Sequence, residues 1–95
     1  MNTPTANDVV VMLSRIGREL DAKQDEIARL DEEAVRAKSR YEVAFARAFI
    51  QAQGAEGLRK QTAVLETEAA KLDMEIADQK LRAAREAIRV LRDRL

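Results

Sequence analysis

Apolar residues return at alternating steps of three and four along nearly the whole chain. In the first half, Leu13, Ile16, Leu20, Ile27, Leu30, Ala34, Ala37, Tyr41, Ala44 and Ala48 form such a seam, with Lys23 its one charged member. In the second half, Ala63, Thr67, Ala70, Met74, Ala77, Leu81, Ala84, Ile88, Leu91 and Leu95 form another. This spacing follows one stripe of an α-helix and marks a coiled-coil seam. Helix breakers frame both stretches. Pro4 suits a first helical position after Thr3, and Thr5 with Asp8 three residues on resembles a capping box. Between Ala6 and Gln53 there is no Pro and the only Gly is Gly17, and then comes Gly54-Ala55-Glu56-Gly57. Gly54 has no Cβ to clash, so it can take the left-handed conformation that ends a helix. No breaker follows from Leu58 to Leu95. The pattern predicts a helix near 6–53, a turn at 54–57 and a helix near 58–95, each about 55–70 Å long.

Two seams joined by a tight turn predict an all-α fold: one long antiparallel two-helix hairpin, a single domain over 1–95. Facing positions must then keep a constant sum of residue numbers. Ile16 with Leu95, Leu20 with Leu91, Ile27 with Ala84, Leu30 with Leu81, Ala37 with Met74 and Tyr41 with Ala70 all sum to 111. The midpoint falls between Ala55 and Glu56, inside the turn. In this register Tyr41 fills the seam opposite Ala70. Charge follows the same offset, with Glu19 near Arg94, Glu33 near Lys80, Arg40 near Asp73 and Arg47 near Glu66. Each exposed pair is worth only a few tenths of a kcal/mol, so such pairs choose register more than they hold the fold. On the other flank Asp31 sits near Asp78 and Lys38 near Lys71, unless their side chains lean toward Arg85 and Asp78.

A hairpin with one seam is polar elsewhere, and this chain is not. Leu58, Leu65, Ala69, Leu72 and Ile76 make a second stripe, continuing through Ala83 and Val90. It points roughly 150° away from the first seam at about 100° per residue. Residues Val43-Ala44-Phe45-Ala46-Arg47-Ala48-Phe49-Ile50 are apolar almost all round. Leaving a large apolar side chain in water forfeits roughly 1.5–3 kcal/mol. The pattern therefore predicts self-association into a bundle of four or more helices. Its contact residues are Val43, Phe45, Phe49, Ile50, Leu58, Leu65, Ala69, Leu72 and Ile76. The alternative is that Phe45 and Phe49 fold over the tip of a monomer. Val9, Val10, Met12 and Leu13 run past Leu95 in the register. They either continue helix 1 onto a neighbouring subunit, which is the preferred reading, or form a small docking patch for a different protein. Gly17 lies at that junction as a tolerated helical Gly or a hinge.

Composition narrows the function. Of 95 residues, 17 are Lys or Arg and 17 Asp or Glu, so no net charge points to a polyanion. His and Cys are absent, which removes the usual general base, the thiol nucleophile and zinc sites. No enzyme, cofactor or metal site is expected. Asp31-Glu32-Glu33 diverge by about 100° per residue and cannot converge on one ion alone. Tyr41 has no pocket loops or nucleophile–base pair beside it. Arg82, Arg85, Arg89 and Arg92 share one helical stripe that could follow a phosphate backbone. The competing reading is that they offset helix 1, whose first 33 residues hold eight acids and four bases. The start has no basic segment of a secretory signal, and the longest apolar run, Val9–Leu13, falls far short of the about 20 residues that span a membrane. A cytoplasmic protein with no membrane contact is expected.

The stretch Tyr41-Glu42-Val43-Ala44-Phe45-Ala46-Arg47-Ala48-Phe49, followed by Gly54 and a charged Ala-rich helix, resembles a group of small all-helical proteins. These coiled-coil hairpin proteins come from tailed phages of actinobacteria and other Gram-positive hosts. They are mostly of unassigned function and often encoded near early replication and recombination genes. The resemblance covers roughly residues 15–95 and carries over no site residues. It implies a non-enzymatic accessory protein made in the host cytoplasm. Two functions are expected from different classes. One is a homo-oligomeric helical scaffold or adaptor that binds another phage or host protein. The other is a DNA-associated accessory factor of phage replication or recombination acting through the Arg stripe.

Overall fold

The structure, a computed structural model, describes residues 3–94. Three helices follow in order: α1 (Ala6–Gln51), α2 (Glu56–Glu66) and α3 (Glu68–Asp93), with no strand among the described residues. At 1.5 Å per residue, α1 spans about 69 Å and accounts for most of the 76 Å length of a particle only 21 by 14 Å across.

Thr5 caps α1. Its Oγ1 accepts from the Asp8 N–H at 3.1 Å, and the Asp8 carboxylate accepts from the Thr5 N–H at 3.1 Å. This reciprocal pair satisfies donors that a helix start leaves open. Pro4 therefore precedes the cap and does not open the helix. At the other end α1 stops at Gln51, two residues earlier than the pattern suggested. Ala52 is extended (φ −68°, ψ 150°) and its N–H donates to the Ala48 carbonyl at 2.9 Å. Gly54 does take a positive φ, 106°, but inside the loop and not at the helix cap. A Cβ there would also stand 2.9 Å from Leu58 Cδ2. The loop is therefore 52–55, and Gly57 lies in the first turn of α2. α1 runs unbroken through Gly17.

The absence of breakers after Leu58 predicted one continuous helix, and the structure divides it at Thr67 (φ −108°, ψ 12°). A buried hydroxyl sits at this division. Thr67 Oγ1 donates to the Ala63 carbonyl at 2.6 Å, and the Thr67 N–H donates to the same oxygen at 3.1 Å. The hydroxyl thus shares the helical acceptor with the backbone, as Thr62 does on the Leu58 carbonyl within α2. The helix resumes at once, with the Lys71 N–H on the Thr67 carbonyl at 3.0 Å.

The buried apolar residues are Leu30, Ala37, Ala48, Ala63, Ala77, Leu81, Ala84, Ile88 and Leu91. All of them are seam positions. Leu30 packs with Leu81 and Ala84, flanked by Ile27 and Ala34, so α3 lies along α1. Five of these nine are alanines, whose small side chains make a thin core. The pairing of Ile16 with Leu95 lies outside the described residues. Lys23, the charged seam member, is half-buried and pairs with Glu26 at 3.2 Å on its own helix.

Interhelical charge pairing differs from the expected pattern. Glu33, Arg40, Asp73 and Lys80 do line one cleft. Yet among the described residues the only ion pair within 4.0 Å that joins α1 to α3 is Arg85–Asp31, at 3.7 Å. Asp31 thus leans toward Arg85, but Lys38 closes no ion pair with Asp78, which pairs with Arg82 at 2.8 Å instead. Glu19 with Arg94, Glu33 with Lys80, Arg40 with Asp73 and Arg47 with Glu66 do not close. Exposed side chains gain little from direct contact over their hydration, so the alignment of charge does not require closed pairs.

Candidate interaction surface

The second apolar stripe stays in solvent. Val43 and Ile50 on α1, Leu58 and Leu65 on α2, and Leu72, Ile76 and Val90 on α3 are all exposed, from 41% for Val90 to 73% for Ile50. Ala69 and Ala83 are exposed between them. These positions lie off the seam through which Leu30 meets Leu81 and Ala84. The two aromatic residues assigned to the same band are engaged inside the chain and are half-buried. Phe45 sits edge-on to Tyr41, with centroids 6.2 Å apart and planes at 63°. The exposed band is therefore aliphatic.

Phe49 meets a residue that sequence reasoning missed. A helix end leaves its last carbonyls without intrahelical donors, and α1 has no basic residue in its last turn to supply them. Arg59 of α2 does so from across the loop. Its Nε and Nη2 donate to the Phe49 carbonyl at 3.2 and 3.1 Å, and its guanidinium carbon lies 4.6 Å from the Phe49 ring centroid. One side chain thus closes the end of α1 by hydrogen bonds and covers a ring by cation–π attraction. The only signal in the sequence was an Arg soon after the turn, which does not single out its acceptor.

At the opposite end, Val9, Val10, Val11, Met12 and Leu13 are all exposed in the first turns of α1. Thr3, Pro4, Asp8, Val9 and Met12 line a shallow concavity there.

The Arg stripe is largely occupied. Arg82 pairs with Asp78 at 2.8 Å, Arg85 with Asp31, and Arg89 with both Glu86 and Asp93, the latter at 3.0 Å. The Arg89 guanidinium holds the Glu86 carboxyl below its usual range, and Glu86 in turn raises Arg89. Arg92 lies in the last turn of α3, where a cation suits the helix dipole. The acidic triplet disperses: Asp31 faces Arg85, and Glu32 accepts from Arg36 at 2.8 Å. Among the described residues no group of three or more carboxylates is placed to hold a metal ion, and no helix is long and apolar enough to cross a membrane.

The surface reflects the elongated shape, 76 by 21 by 14 Å. A compact monomer of this mass exposes about 5,500 Å², against 7547 Å² for this chain. Comparison with known protein families, with curated proteins and with solved structures gives no match to this chain.

Proposed function

We propose that this chain is a non-enzymatic helical scaffold or adaptor: an antiparallel two-helix hairpin that self-associates and presents its outer surface to another protein, of phage or host origin. The observation that carries the reading is the exposed aliphatic band of Val43, Ile50, Leu58, Leu65, Leu72 and Ile76. Full burial of a large aliphatic side chain is worth about 1.5–3 kcal/mol, and these six, 44–73% exposed, realise only part of it in the single chain. The hairpin is supported by Leu30 beside Leu81 and Ala84 at mid-length and by Arg59 on Phe49 near the loop. Val9–Leu13 is the second contact region of the proposal, because α1 carries it past the end of α3. The DNA-associated alternative is supported less, since acidic neighbours already hold three of the four stripe arginines.

Sedimentation equilibrium at micromolar concentration tests the central claim. A mass of two or more chains is expected. A single species at 10.7 kDa would remove self-association from the proposal. Capture from host lysate with and without residues 1–14 tests the end patch, and identical partners would exclude it.

A further inference from the structure

We draw no further inference here: the strongest candidate, the exposed aliphatic stripe of Leu65, Leu72 and Ile76 running from α2 onto α3, carries none because nothing in the structure shows what covers it.

Discussion

The guanidinium of Arg59 stands 4.6 Å from the centroid of the Phe49 ring and donates two hydrogen bonds to the carbonyl oxygen of that same residue. The end of α1 and the start of α2 are thereby tied by one side chain, independently of the seam. Arg59→Ala leaves the Phe49 carbonyl without this donor and uncovers the ring, a loss of about 1–2 kcal/mol. Arg59→Lys keeps the charge but not the planar fork, and should recover only part of it. Urea denaturation of the three proteins checks this. A Lys variant as stable as wild type would assign the effect to charge alone.

The Asp8 carboxyl is held below its ordinary range, first by the Thr5 backbone N–H and then by the Thr5 side chain. A lowered folded pKa means that the unfolded chain binds the proton more readily. The capping contribution is therefore fully present above about pH 4, the unfolded value, and is lost as pH falls through the lower folded value. Asp8→Asn should reduce the loss of helicity on acidification to pH 2, read by circular dichroism. An unchanged acid profile would mean that other carboxyls dominate it.

Gly17 and Gly54 should respond to alanine with opposite signs. A Cβ at Gly17 meets nothing within 4 Å, and Ala is favoured over Gly in a helix interior by about 1 kcal/mol. At Gly54 the backbone φ of 106° is one that an L side chain rarely adopts, so Gly54→Ala should cost about 1 kcal/mol or more. Thermal melts measure both. A destabilising Gly17→Ala would indicate that α1 flexes there.

The paired arginines of α3 predict weak interaction with nucleic acid. Duplex DNA in a gel-shift assay at low salt should show no retarded band with this protein. A band that disappears steeply as salt rises would report phosphate contacts and revive the DNA-associated reading. The triple variant Arg82→Gln, Arg85→Gln, Arg89→Gln would then be expected to abolish it.

Much of the fold was legible along the chain. Period and capping are local properties, so the Thr5–Asp8 start and the positions of the buried seam follow from residue order alone. The apolar band was legible for the same reason: at helical spacing, Leu65, Leu72 and Ile76 cannot share a face with Ala63, Ala77 and Leu81. Three features were decided only by tertiary structure. The division of the second helix at Thr67, a buried seam position, has no breaker in the sequence to announce it. The choice of Arg85 over Asp78 as the neighbour of Asp31 depends on how long side chains lean across a packed interface. The Arg59–Phe49 tie joins residues on two different helices, and no spacing rule within either helix links a donor to a carbonyl across a loop.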